Sequence, residues 1–277
     1  MTCIDSHVHF WKYDSKKDGW ITGDMKILRQ HYLPEQLSLT LKRNGVDGVV
    51  VVQVEQSEKE TVFLVEMAKT HEVIKGVVGW VDLRSPDLEQ RLDFFSKYPV
   101  IKGWRHIVQG EALEFLEQED FQRGVRAIGR LNYTYDLLIY HYQLKPALEF
   151  LSKCPEQKLV IDHCAKPDIR QGKITEWKEG IREMAQASNV YCKLSGLFTE
   201  AKWSAWTPGE FYPYLDVVFE YFGVERLMFG SDWPVILLSG MYVQWKSLLE
   251  KYMENYKAED KERIFGLNAM DFYGLEF

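Results

Sequence analysis

The sequence predicts a (β/α)8 barrel of the α/β class, and three observations carry that prediction. Short β-branched runs recur along the chain, each followed by a stretch with apolar residues at helical spacing, a pattern of parallel sheets rather than of sandwiches. Eight such runs divide the 277 residues into units of about 35, enough for a strand, a helix and two loops. The chain also lacks GxGxxG and GxxxxGK[ST] phosphate loops, one of which an open nucleotide-binding sheet would normally carry after an early strand.

The elements follow in order. Residues 2–5 open the barrel. Residues 47–54, DGVVVVQV, are too short and too valine-rich for a helix and form the second strand. Residues 57–70 set Val62, Leu64, Val65 and Ala68 on one helical face, and 73–81, VIKGVVGWV, make the third strand. Helix 86–97 leads to strand 100–108, which ends in polar residues, and helix 121–131 leads to strand 135–140. Helix 144–153 precedes strand 158–163, helix 177–187 precedes strand 190–194, and helix 211–222 precedes strand 226–229. No Pro/Gly/Ser-rich linker or low-complexity tract interrupts the series, so one barrel domain over residues 1–277 is expected.

Composition removes several classes of function. At 46% hydrophobic and 27% charged the chain can bury a large core, which excludes a disordered or disulfide-dense scaffold. Lys plus Arg at 34 against Asp plus Glu at 41 gives −7, a balance that argues against a nucleic-acid or anionic-membrane surface. Cys3, Cys154, Cys164 and Cys192 show no metal-finger spacing and read as free thiols of a reducing compartment. No run approaches the roughly 18 apolar residues of a membrane span, and no basic-then-apolar leader opens the sequence. A cytoplasmic protein with a small-molecule partner is expected; the oligomeric state is not readable.

In such barrels chemistry sits at the carboxyl ends of the strands. After the first strand come His7 and His9, which at i and i+2 point the same way in an extended chain and can share a metal or an oxyanion. The sixth strand ends in Asp162-His163-Cys164-Ala165-Lys166 and the eighth in Gly230-Ser231-Asp232-Trp233-Pro234. Either alone reads equally as a cap or turn. Together, His7, His9, His163 and Asp232 would converge at one mouth.

The order DSHVHFW, KGWRH, DHCAKP and GSDWPV, spread over residues 3–234, closely resembles the amidohydrolase superfamily. Within it the match is to the amidohydrolase-2 lineage of sugar-lactone hydrolases, the fuconolactonase, rhamnonolactonase and pyrone dicarboxylate lactonase group. The resemblance implies a (β/α)8 barrel that hydrolyses a cyclic ester in carbohydrate metabolism, with His7, His9, His163 and Asp232 in the active site. Binuclear members add a Lys or Glu from the fourth strand and a His from the fifth. Here the fourth strand ends Trp104-Arg105-His106 and the fifth runs into Tyr140-His141, so at most one divalent ion is expected, zinc by the ligand chemistry. Lys102, early in its strand, reads as structural, and His141 as a packing residue or an extra ligand.

Opening a lactone needs an activated water, a donor for the oxyanion and an acid for the leaving alkoxide. Asp232 is the natural base. His7, His9 and His163 would polarise the carbonyl, either by holding one metal ion with Asp232 or directly in metal-independent catalysis. Arg105 offers a forked cation for the oxyanion, with His163 a further catalytic residue. His106 and Lys166 are expected to bind substrate, and Trp104 and Trp233 to stack on a sugar ring. Residues 197–213 read as a lid or a rim loop. The reading is a lactonase acting on a sugar-acid 1,4-lactone. A metal-dependent decarboxylase, an amide or imide hydrolase and a non-catalytic sugar-acid-binding barrel are the alternatives.

Overall fold

The computed structural model describes residues 2–276. Eight parallel strands, β1 Ile4–Val8, β2 Gly48–Val52, β3 Ile74–Gly79, β4 Ile101–His106, β5 Thr134–Leu137, β6 Leu159–Ile161, β7 Val190–Leu194 and β8 Leu227–Phe229, pair in sequential order. Just beyond β8 the chain closes the barrel: Asp232 N donates to the His7 carbonyl at 2.9 Å and His9 N to the Trp233 carbonyl at 2.7 Å. The architecture is a single (β/α)8 barrel, as the repeat pattern predicts.

Among the described residues the helices are α1 Pro34–Arg43, α2 Glu58–Ala68, α3 Leu88–Ser96, α4 Glu119–Arg130, α5 Leu144–Lys153, α6 Thr175–Met184, α7 Leu197–Glu200, α8 Tyr212–Phe222, α9 Tyr242–Tyr252, α10 Ala258–Glu262 and α11 Asn268–Tyr273. Their starts follow ordinary capping chemistry. Ser57 accepts from Glu60 N ahead of α2, and Pro34 opens α1, where its missing N–H costs nothing.

Strand alternation divides the core in two. Val49 and Val51 of β2 point outward into the large apolar layer beneath the helices. Val50 and Val52 point inward and meet Ile4, Val78, Val160 and Met228. That inner cluster is completed by Ala269, Phe272, Tyr273 and Leu275, so α11 and the residues after it plug the amino-terminal end of the barrel. Above this plug the interior turns polar.

The structure departs from the sequence reading at strand ends, among them those of β1 and β6. β1 runs to Val8 rather than Asp5, so His7 belongs to the strand and its side chain is aimed by the sheet. β6 stops at Ile161, and Asp162–Ala165 form a tight turn in which His163, Cys164, Ala165 and then Lys166 have φ of 54°, 52°, 57° and 46°. Left-handed backbone in a run of non-glycine residues costs about 1–2 kcal/mol each, so apolar spacing gives no hint of it. Residues 197–213 form α7 and a rim segment in which Trp206 stacks on Phe198 at 4.1 Å and donates to the Ser239 carbonyl.

Gly266, in the π-helical turn joining α10 to α11, marks where the plug meets β1: a Cβ there would lie 2.0 Å from the Thr2 carbonyl oxygen. Gly→Ala inside a helix ordinarily stabilises, but here we expect Gly266→Ala to lower unfolding free energy by about 1–3 kcal/mol through overpacking. Chemical denaturation checks it; an unchanged or raised midpoint would mean the plug is free to shift away from β1.

Candidate active site

The strands aim a set of charges into the barrel above the plug. On β4 Trp104 points outward against Phe95 and Tyr133, which turns Arg105 inward. On β5 Tyr135 faces Phe121 and Phe150 among the helices, which turns Asp136 inward. Lys193 of β7 and Asp162, just past β6, complete a layer in which all four side chains are 3% exposed or less. Lys193 Nζ bonds Asp136 Oδ2 at 2.5 Å and lies 3.0 Å from Asp162 Oδ1, and Arg105 Nη1 donates to Asp162 Oδ2 at 3.0 Å. Arg105 also donates to the Gln53 carbonyl. Two cations face two carboxylates, so the layer is neutral.

The histidines stand on this layer. His9 Nδ1 lies 2.7 Å from the Val52 carbonyl, which can only accept, so His9 carries its proton there and its Nε2 lone pair faces the mouth. His163 Nδ1 meets Ser195 Oγ at 2.8 Å. His7 Nδ1 lies 3.1 Å from Lys193 Nζ and 3.2 Å from Asp162 Oδ1. With each Nδ1 held from outside, the three Nε2 atoms converge on Asp232. His7 and His9 Nε2 are 3.1 Å apart, and Asp232 Oδ1 is 3.3 Å from His9, 3.8 Å from His163 and 3.9 Å from His7.

Two buried triads that share His7 could hold a borderline divalent ion, His7, His9 and Asp232, and His7, His163 and Asp162. His7 joins the first of these with a lone pair when its proton sits on Nδ1 toward Asp162. Asp232 has φ 59°, and His163 lies in the left-handed turn after β6, so both occupy backbone that the surroundings must enforce. Trp177 Nε1 donates to the Cys164 carbonyl at 2.7 Å and holds that turn. Gly196, φ +67°, lies against the His163 ring, where a Cβ would come within 2.6 Å of Cγ.

Electrostatics fixes the charge states. Burial lowers His163 to about 4, with Lys166 and Arg105 adding to it against Asp232 and Asp162, so the imidazole is neutral at neutral pH. Burial and then Lys193 hold His7 well below its ordinary value. Burial alone would raise Asp232, but His163, His9 and His7 outweigh it and keep the carboxyl far below the usual range. The same contest at Asp162 is won by Lys193, His7 and Arg105. Burial lifts Asp136 to about 6 against the pull of Lys193.

Of the residues singled out by sequence, His7, His9, His163, Asp232 and Arg105 come together. Arg105 lies beneath the histidines, 3.5 Å from His7 Nε2. Trp104 is fully buried among the helices and does not reach the mouth, since strand alternation sends it outward. Trp233, 5% exposed, packs edge-on against Phe10 and Tyr32 while its backbone closes the barrel. His106 stacks on Phe115 and pairs with Glu111 at 2.9 Å on the rim. Lys166 lies over the Tyr140 ring at the mouth, and His141 Nδ1 bonds its carbonyl.

Sequence reasoning missed Asp136, Asp162 and Lys193. Their signal was a single charge inside an apolar strand run, YDLLIY or VYCKL, or at its end, where only a partnered ion is buried. It also missed Glu200, a carboxyl raised by burial, a rise that Lys166 opposes and Asp232 adds to. Trp11, Trp20, Phe63, Lys12, Lys59 and Glu60 line a cleft of about 250 Å³ between the segments that follow β1 and β2.

The family pattern described as amidohydrolase matches residues 4–275. An L-fucono-1,5-lactonase from Burkholderia multivorans is 36% identical over 98% of this chain and 96% of its own length. One from Burkholderia ambifaria is 33% identical over 99% of this chain and 96% of its own. A crystal structure of an amidohydrolase from Burkholderia multivorans with bound zinc superposes with a TM-score of 0.96, at 35% identity and full coverage of both chains.

Removing one ion from the buried layer leaves the others uncompensated. We expect Lys193→Met to destabilise the fold by about 3–5 kcal/mol, the scale of a broken buried pair. An unfolding midpoint equal to that of the parent would show that Arg105 alone suffices as the cation of this layer.

Proposed function

The chain belongs to the amidohydrolase family, and from that premise we propose that it is a carboxylic ester hydrolase that opens the ring of a sugar-acid lactone. One observation carries the reading: Asp232 Oδ1 lies within 3.9 Å of three imidazole Nε2 atoms at the mouth of the barrel. The two Burkholderia relatives support a six-membered 1,5-lactone of the fuconate type as substrate. The five-membered 1,4-ring expected from sequence is kept as the comparator.

In the proposed reaction water attacks the lactone carbonyl carbon and passes one proton to Asp232. Asp232, whose carboxyl lies below the usual carboxylate range, is ionised at neutral pH, so it is available as the acceptor. Negative charge grows on the carbonyl oxygen as the tetrahedral intermediate forms. The buried Arg105 guanidinium, within 3.5 Å of His7 Nε2, supplies positive potential beneath that charge. Collapse breaks the bond to the ring oxygen, and Asp232 returns its proton to the leaving alkoxide. The product is an open-chain hydroxy acid, which ionises and acidifies the medium.

A single divalent ion such as zinc would be held by His7, His9, His163 and Asp232, and when bound it supplies Lewis-acid polarisation and a more acidic water. The zinc-bound relative supports this assignment. Lys166 and Glu200, at the mouth near Asp232, are proposed to face the ring hydroxyls.

A lactone panel read by pH indicator tests the reading. We expect L-fucono-1,5-lactone to be opened faster than its 1,4-isomer or an unsubstituted aliphatic lactone. We expect Asp232→Asn, folded as the parent, to lose about a hundredfold in turnover. Release of CO2 in place of ring opening would move the chain to the decarboxylases. Near-parental turnover by Asp232→Asn would remove Asp232 as the base.

A further inference from the structure

We propose that the cleft between the segments that follow β1 and β2 is a second sugar subsite, which seats a neutral pyranose ring carried as a glycosyl substituent on the lactone. This assignment rests on the lactonase reading and extends its substrate class to lactones of disaccharide acids. The cleft has a volume of about 250 Å³, enough for one monosaccharide ring. Phe10 and Trp11, on one wall, follow His9 directly. Val54, on the other, follows Val52 and Gln53, whose carbonyls hold His9 and Arg105. Glu60 is near enough to the Arg105 guanidinium to feel its charge. His7, His9, His163 and Asp232 do not line the cleft. A lactone whose carbonyl meets Asp232 therefore leaves the cleft open to whatever the reacting ring carries.

Fixed groups build the two walls. Trp11 pairs both ways with the Tyr32 backbone, at 2.8 and 2.9 Å, and its Nε1 donates to the Gln30 carbonyl at 3.0 Å. Glu60 accepts from the amides of Val54 and Glu55, which ties the loop after β2 to α2. Trp20 stands edge-on to Trp11 with ring centroids 6.0 Å apart, and it is 42% exposed. Much of that indole remains to be covered, and a ligand ring in the cleft would cover it. Phe63 completes the apolar lining, with Lys12 Nζ 5.7 Å from its ring centroid.

The polar lining selects the ligand. Lys12, Lys17 and Lys59 stand against Asp18, Glu55 and Glu60, three cations and three carboxylates, so the cleft carries no net formal charge. An anionic ligand would meet the carboxylates, and a purely apolar one would strip water from ions without replacing it. A pyranose ring answers both linings. Its C–H face lies on an aromatic side chain, while its hydroxyls, each a donor and an acceptor, bond ammonium and carboxylate alike.

Trp20→Ala tests this, because Trp20 is a surface ring whose removal leaves the core intact. Turnover compares cellobiono-1,5-lactone, which carries a glucosyl group on O4, with D-glucono-1,5-lactone, the same ring without it. Titration calorimetry compares the corresponding open-chain acids, cellobionate and gluconate, and needs no turnover. In the parent we expect kcat/KM and affinity each to favour the disaccharide by about fivefold, the scale of one apolar ring face removed from water. We expect Trp20→Ala to abolish both preferences. Phe94→Ala, which removes an exposed ring on α3 outside the cleft, should keep them. If neither of these lactones is opened, calorimetry decides alone; a chain that opens no lactone at all would overturn the lactonase reading. The subsite is overturned if calorimetry shows no preference for cellobionate in the parent, or if the lactones are opened without preference. It is equally overturned if Trp20→Ala keeps the preference or Phe94→Ala loses it.

Discussion

Four ions that have left water together, Lys193 and Arg105 against Asp136 and Asp162, are the constraint on which the upper half of this barrel depends. Barrels of this class normally fill their interior with branched apolar side chains. A desolvated ion pair is seldom a net source of stability, since the cost of leaving water offsets much of the Coulomb attraction. Its geometry, however, is demanding. The layer ties β4, β5, β7 and the end of β6 to one arrangement, and the Arg105 bond to the Gln53 carbonyl adds the segment after β2. The histidines inherit their positions from it.

The same logic extends to the mouth. Every imidazole in the proposed site has an outer partner on Nδ1: the Val52 carbonyl for His9, Ser195 for His163, and Lys193 with Asp162 for His7. The rings are thereby turned so that Nε2 faces Asp232. Left-handed backbone at His163 and Asp232 brings both into reach at a cost that the surrounding packing must cover. Burial and neighbouring cations keep His163 neutral, and Asp232 is ionised at neutral pH. Imidazole nitrogens beside an ionised carboxylate suit both a divalent ion and the polarisation of an ester carbonyl.

The fold was legible because parallel strands buried on both faces leave continuous β-branched runs, as in GVVVV of β2, and because the units recur at even spacing. His7, His9, His163 and Asp232 drew attention because each was placed just beyond such a run, although His7 lies within β1. Trp104 was misread because membership of a strand does not say which face a residue takes: one step of alternation separates it from Arg105. Trp233, next to Asp232, also lies at the seam where β1 meets the end of β8, a role that the sequence does not announce. Asp136 and Lys193 escaped notice because a lone charge within an apolar run declares its burial but not its partner, which lies 57 residues away along the chain. The plug of α11 has no local signature, since Tyr273 reads as any aromatic near the end of a helix.

The central claim is that the ionic layer serves placement rather than stability. The double variant Asp136→Leu with Lys193→Met removes one carboxylate and one cation together, which leaves Arg105 and Asp162 still matched. Its turnover of L-fucono-1,5-lactone, measured in protein that unfolds at or above the parental midpoint, decides the matter most directly. The account requires turnover to fall by about tenfold or more although the fold is intact. Parental turnover in that stable double variant would contradict it.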